Sequence, residues 1–188
     1  MEDLFRGELV RLTAEDPEVL AREEMRWQRD SEFHRLVNGG TPEMFSSRKI
    51  KEWREKDLDG SLSPESYRFS IRSLTDGKLL GALGLWLDLT QADLWLGIGI
   101  GDRADWGKGY GTDAMKVCLR YAFHELGAHR ISLALYAYNP RAWRVYEKAG
   151  FRIEGRTRQD VAKEGQRYDS IWMSILREEW LQMQGAER

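Results

Sequence analysis

A chain of 188 residues, 41% of them hydrophobic, is long enough to bury one substantial core and gives no reason to expect a second. Charged residues make up 32% of it but nearly cancel, and a net charge of −2 offers no field to draw in nucleic acid. The single cysteine, Cys118, excludes an internal disulfide and a clustered-cysteine zinc site, and neither the opening Met1-Glu2-Asp3-Leu4-Phe5 nor any apolar run reads as a secretion signal or a membrane span, so a cytoplasmic protein with no membrane partner is the expectation.

There is no internal repeat, low-complexity tract or proline-rich linker, so residues 1–188 are expected to pack as one domain. Leu9 to Leu12 predicts a short strand, and a helix follows from about Pro17 to Arg29 behind a capping choice at Thr13 to Asp16. The stretch after Arg29 carries no clear period. Ser46 to Lys56 reads as a charged helix with Ile50 and Trp53 on one side, and Leu58 to Ser66 as a loop.

The period then changes to two. Tyr67 to Leu74 and Leu79 to Leu87 are strands joined by an Asp76-Gly77 hairpin turn. A third strand, about Ala92 to Ile100, sets Leu94, Leu96, Ile98 and Ile100 against Asp93, Trp95, Gly97 and Gly99, and those glycines mark a bulge or a close approach. A helix from Thr112 to about Leu126 carries Met115, Cys118, Leu119, Ala122 and Leu126 at helical spacing, with Gly127 placed to end it. Ile131 to Tyr138 is a strand, Asn139-Pro140 caps a helix ending at Gly150, and Phe151 to Asp160 and Arg167 to Leu176 form a last pair of strands around Lys163-Glu164-Gly165-Gln166. The mixture predicts an α/β (mixed α+β) fold, a mixed sheet with helices on both faces.

Two stretches carry chemistry. Trp106-Gly107-Lys108-Gly109-Tyr110-Gly111-Thr112 lies between a strand and a helix, where glycines let several backbone N–H groups converge on a pyrophosphate and the helix N-terminus adds free donors. Lys108 would add a charge from the solvent side. A Walker loop requires Ser or Thr directly after the lysine, and Gly109 stands there; the Gly99-Ile100-Gly101-Asp102-Arg103-Ala104 run fits a loose dinucleotide pattern, but the second glycine run displaces the helix it would open. An ordinary glycine-rich loop is the other reading.

The second stretch runs from Asn139 to Phe151. Two helical turns separate Asn139 from Tyr146, so both can point along one face, with the small Ala142 between them. A protonated Tyr146 phenol suits a donor to a departing thiolate. Taken singly, Asn139 also reads as a plain cap and Tyr146 as a core tyrosine.

Together the two stretches resemble the GNAT superfamily of acyl-CoA N-acyltransferases, closely over about Asp93 to Phe151 and loosely over nearly the whole chain. The family's phosphate-binding pattern, Arg or Gln, two residues, Gly, one residue, then Gly or Ala, falls on Trp106, Gly109 and Gly111. Trp106 departs from it and resembles the branch that includes ribosomal-protein N-terminal and polyamine acetyltransferases, as do Glu154-Gly155-Arg156 and the run from Tyr168-Asp169 to Trp180.

The resemblance implies a central, mostly antiparallel sheet of six to seven strands flanked by helices. It also implies acetyl-CoA (coenzyme A) bound by Trp106 through Thr112, Asn139 and Tyr146, with Tyr146 as general acid near the sulfur. A bulged strand would free backbone N–H groups at Ile98 and Ile100 for the thioester carbonyl and pantetheine arm.

The reaction so implied is direct attack of a neutral amine on the acetyl carbonyl, without a covalent acetyl-enzyme. Cys118, among apolar helical neighbours, is then a core thiol, and His34, His124 and His129 lack metal-ligand spacing, so no metal is expected. Asp93, polar in an apolar strand, is the first candidate for the base that deprotonates the amine, and Asp88 the second. Trp27, Arg29, Trp53, Tyr168 and Asp169 are candidates for the acceptor side. Three readings stay open: acetylation of a peptide N-terminus, acetylation of a polyamine or other small amine, and a non-catalytic acyl-CoA-binding module. The sequence leaves open whether the chain forms a homodimer, which an exposed apolar patch would favour.

Overall fold

The computed structural model describes residues 3–14, 16–38, 43–58, 66–88 and 93–186. In chain order the elements are β1 (Val10–Thr13), α1 (Pro17–Gln28), α2 (Ser31–Asn38), α3 (Ser47–Leu58), β2 (Ser66–Ser73), β3 (Leu79–Asp88) and β4 (Asp93–Ile100). A single 3₁₀ turn at Arg103–Asp105 follows, and then α4 (Tyr110–His124), β5 (Arg130–Tyr136), α5 (Pro140–Lys148), β6 (Arg152–Lys163), β7 (Gln166–Leu176) and α6 (Arg177–Ala186). Most of the loop expected at Leu58 to Ser66 lies outside the described residues.

The strands form one seven-stranded sheet in the order β1-β2-β3-β4-β5-β7-β6. Every pair is antiparallel except β4 with β5. Alternation sorts the side chains. On one face Leu94 and Leu96 of β4 and Ile131, Leu133 and Leu135 of β5 are buried beneath α4 and α5, together with Met115, Cys118, Leu119, Phe123 and Tyr146. On the other face Gly99 of β4 and Gly101 just after it stand where helices come close: a side chain at Gly101 would overlap the Trp27 indole of α1, and one at Gly99 would press on Val37 and Phe33 of α2.

α2 and α6 stand where the sequence gives no helical expectation. α4 begins two residues earlier than expected, directly on Gly109. β4 also departs from the bulged strand that the family resemblance implies. Its pairing with β3 runs without a register shift from Asp88↔Asp93 to Gly81↔Ile100. Among the described residues no helix is long and apolar enough to cross a membrane, and no group of three or more His, Cys, Asp or Glu side chains is arranged to hold a metal ion.

Candidate active site

The site is built where β4 and β5 part. The Gly101 N–H donates to the Leu80 carbonyl at 2.8 Å, which fixes the alternation of the β3–β4 pair. The odd residues of β4 therefore bond to β3, and the N–H groups of Ile98 and Ile100 point the other way, towards β5. β5 is paired with β4 only at Leu94↔Ile131 and Trp95↔Ser132. Beyond Trp95 the two parallel strands diverge and leave a wedge-shaped gap, so the free edge of β4 arises from the departure of β5 and needs no bulge.

At the open end of the wedge the chain makes the glycine loop. Gly107 and Gly109 have φ of 79° and 90°, a left-handed backbone that side chains disfavour. Gly109 is the N-cap of α4 and brings no side-chain cap, so the first N–H groups of the helix have no side-chain partner. This is the arrangement that receives a phosphate. Trp106 ties the loop to the wedge: its Nε1 donates to the Ile100 carbonyl at 2.7 Å, and the Arg141 guanidinium lies 3.9 Å over its ring. Lys108 is held by Asp105 at 3.2 Å, and the same buried carboxylate takes Lys78 at 2.6 Å.

A cavity of about 740 Å³ follows the wedge through the sheet. On the α4–α5 side its walls include Trp106, Gly107, Gly109 to Thr112, Asn139, Ala142 and Tyr146, and within the sheet Leu96 to Ile100. Asn139 caps α5 by accepting the Ala142 N–H at 3.1 Å, which leaves its amide NH₂ as the group able to reach a ligand. Tyr146, two turns on, is 6% exposed. Burial pushes its phenol up to about 12, so it is a neutral donor. The candidate cofactor residues of the sequence are thus brought together at one cavity, save Lys108, whose ammonium is engaged beside it.

Asp93 is not brought there. It opens β4 at the closed end of the wedge, five residues or roughly 17 Å of extended strand from Ile98, and it does not line the cavity. Register set it apart: the polar residue of an apolar strand lies where the strands are still paired. The side chain of Asp88 lies outside the described residues. Of the acceptor-side candidates only Trp27 lines the cavity. Trp53 packs on Phe45 of its own helix region, Tyr168 on Tyr138, and Asp169 holds Arg156 and the Gln159 N–H. Cys118 is fully buried, which pushes its thiol up and out of reach of chemistry.

Other lining residues carried weaker sequence signals. Phe33, Leu36 and Val37 come from α2, whose eight residues are too few to declare a period. Arg141, Arg144 and Lys148 line the cofactor side from one face of α5, and their i, i+3, i+7 spacing was a readable sign of a basic stripe. Glu24 and Arg54, on α1 and α3, meet only in the folded chain.

Comparison with known proteins agrees with this geometry. The family model described as "Acetyltransferase (GNAT) domain" matches residues 6–152. The chain is 36% identical over 130 residues to "Probable N-acetyltransferase YjcK" of Bacillus subtilis, covering 69% of this chain and 70% of that protein. It is 29% identical over 146 residues to "Putative ribosomal N-acetyltransferase YdaF" of the same organism, covering 76% and 75%. A crystal structure of spermidine N-acetyltransferase from Vibrio cholerae in complex with CoA and spermine superposes with a TM-score of 0.80 at 22% identity, covering 92% of this chain and 98% of that one, a likeness of fold. Cleft, cradle and family model converge on one assignment: the chain belongs to the GNAT family and is an acetyl-CoA-dependent N-acetyltransferase.

Proposed function

We propose that this chain, working as one catalytic domain, moves the acetyl group of acetyl-CoA onto a primary amine by direct attack in a ternary complex. The observation that carries the reading is the cavity through the sheet, with the glycine cradle and Tyr146 on one side of the wedge and space bounded by α1 and α2 on the other. Two substrates admitted from opposite faces meet at the wedge without a covalent relay.

The residues fit the cofactor. Gly107 to Thr112 would hold its pyrophosphate on backbone N–H groups, Asn139 would bind the pantetheine arm, and Arg141, Arg144 and Lys148 would face its charged end. When bound, acetyl-CoA supplies the activated thioester. The Ile98 N–H, directed into the wedge, would receive negative charge at the thioester oxygen. Tyr146 holds its proton at Oη ready for the departing sulfur, and its burial keeps that proton in place at neutral pH. Glu24 and Asp105, the carboxylates among the described lining residues, are both ion-paired, so the proton of the entering ammonium leaves through water in the cavity.

Calorimetric titration of acetyl-CoA, with coenzyme A, NAD and ATP alongside, tests the cradle, and a thiol-release assay over a panel of amines tests transfer. Selective binding of the two CoA species followed by amine-dependent thiol release is the expected result. Folded protein that fails to bind acetyl-CoA at millimolar concentration overturns the reading.

A further inference from the structure

The cations around the glycine loop are mostly matched by carboxylates. Lys108 is paired with Asp105, Lys78 with Asp105 and Asp102, and Arg103 with Asp30. Arg141, in the first turn of α5, differs: among the described residues its guanidinium makes no hydrogen bond or ion pair, and what it touches is the Trp106 ring, with its central carbon 3.9 Å from the centroid. That ring is itself fixed. Its Nε1 donates to the Ile100 carbonyl at 2.7 Å, and Arg103, whose charge Asp30 already matches, lies 5.7 Å from it.

A guanidinium attracted by a ring face needs no hydrogen-bond acceptor to hold it there, so its N–H donors stay available for an anion. Trp106 and Arg141 both line the cavity, on the side of the glycine cradle and Asn139. The cradle offers backbone N–H groups and a helix dipole, and these carry only a fraction of the charge that a pyrophosphate brings. Trp106, standing where the family pattern has Arg or Gln, adds no charge of its own. Arg141 supplies one from another element.

Building on the cofactor reading above, we infer that Arg141, held over the Trp106 indole, binds the pyrophosphate of acetyl-CoA, and that Trp106 is the positioning residue for that contact.

The test is calorimetric titration of acetyl-CoA into the unaltered protein and four variants, Arg141→Gln, Trp106→Leu, Trp106→Phe and the Arg141→Gln, Trp106→Leu double, each checked for fold by circular dichroism. Arg141→Gln should raise the dissociation constant by at least about tenfold. Trp106→Leu should raise it severalfold, and the double variant should bind no more weakly than Arg141→Gln alone, because the indole acts through the guanidinium. Trp106→Phe keeps a ring face and loses Nε1, so it should stay within about twofold of the unaltered protein. Acetyl-dephospho-CoA, which keeps the pyrophosphate and lacks the 3′-phosphate, should show the same loss in Arg141→Gln. In the thiol-release assay KM for acetyl-CoA should rise in Arg141→Gln with kcat unchanged, while use of acetyl-pantetheine, which carries no phosphate, should not move; a merely structural defect would impair both.

An unchanged dissociation constant in folded Arg141→Gln overturns the phosphate contact, and a loss that vanishes with acetyl-dephospho-CoA overturns its assignment to the pyrophosphate. Additive losses in the double variant, or Trp106→Phe as weak as Trp106→Leu, overturn the positioning role. Failure of the unaltered protein to bind acetyl-CoA sinks the cofactor reading instead.

Discussion

The Asp113 carboxylate accepts the backbone N–H of Val10 at 2.9 Å, so the first strand of the sheet is moored on the first turn of the helix that carries the phosphate cradle. The N–H groups of Leu9 and Glu8 reach the same carboxylate at 2.7 and 3.1 Å. The side chain is 7% exposed, and it is satisfied by amides and by the positive end of its own helix. Asp113→Ala strands three N–H groups and should lower stability by about 3 kcal/mol, read from the urea midpoint at constant m. A change under about 0.5 kcal/mol would show that the N-terminal segment finds other partners. Acetyl-CoA affinity should weaken in the same variant because the cradle loses its mooring.

Gly109 is the second sensitive point. At φ 90° a side chain is strained, and its Cβ would stand 3.1 Å from Leu9 Cδ1. The leucine tip is exposed and can yield, so backbone strain of about 1–2 kcal/mol is the larger effect. Gly109→Ala is expected to raise the acetyl-CoA dissociation constant by about tenfold in calorimetry. Gly155→Ala serves as the control: it lies on β6 with open space around its Cβ and should bind acetyl-CoA as the unaltered protein does.

What the sequence discloses and what it hides divide along the same line as local and tertiary causes. Asn139-Pro140 as helix start and Gly127 as helix stop are local choices, legible because each residue type has its own backbone preference. The strand-order crossover that opens the wedge is tertiary. Nothing in Asp93 tells the reader that β5 is still paired beside the start of β4 and gone by Ile98. The indole of Trp106 makes the same point: sequence shows a missing polar side chain, while the folded loop recovers one through Nε1 on Ile100. Helix α2 stayed hidden because its apolar positions Phe33 and Val37 are meaningful only against Gly99 of the sheet.

Acid should weaken the contact between α1 and the phosphate loop in a defined window. The Asp102 carboxyl is held at about 2 chiefly by its hydrogen bond from Arg26, with Lys78 adding to it. A depressed folded-state value means that the stabilisation is complete above the ordinary 3.8 and is lost as pH falls from there towards 2. Urea midpoints measured at pH 5, 4 and 3 should therefore decline, and Asp102→Asn should lie below the unaltered protein at pH 5 by a gap that narrows to about half at pH 3. Parallel declines in the two proteins would assign the acid sensitivity to other carboxylates.

Tyr146 separates binding from chemistry. Its ring packs 5.9 Å from Phe151, and phenylalanine keeps that contact while removing only the hydroxyl. Tyr146→Phe should bind acetyl-CoA as before and lose about a hundredfold in kcat, the usual worth of a general acid. The pH profile gives a second reading. Because burial raises the phenol to about 12, the group keeps its proton throughout the range below pH 10, and kcat should show no alkaline limb there from this residue. The same raised value means that Tyr146 favours the folded state less as pH climbs from 10 towards 12, since the unfolded chain ionises first and the slope of stability with pH is negative in that interval. Tyr146→Phe should remove that part of the alkaline loss. A variant that retains full kcat would leave Tyr146 as a packing residue and require the departing thiolate to take its proton from water.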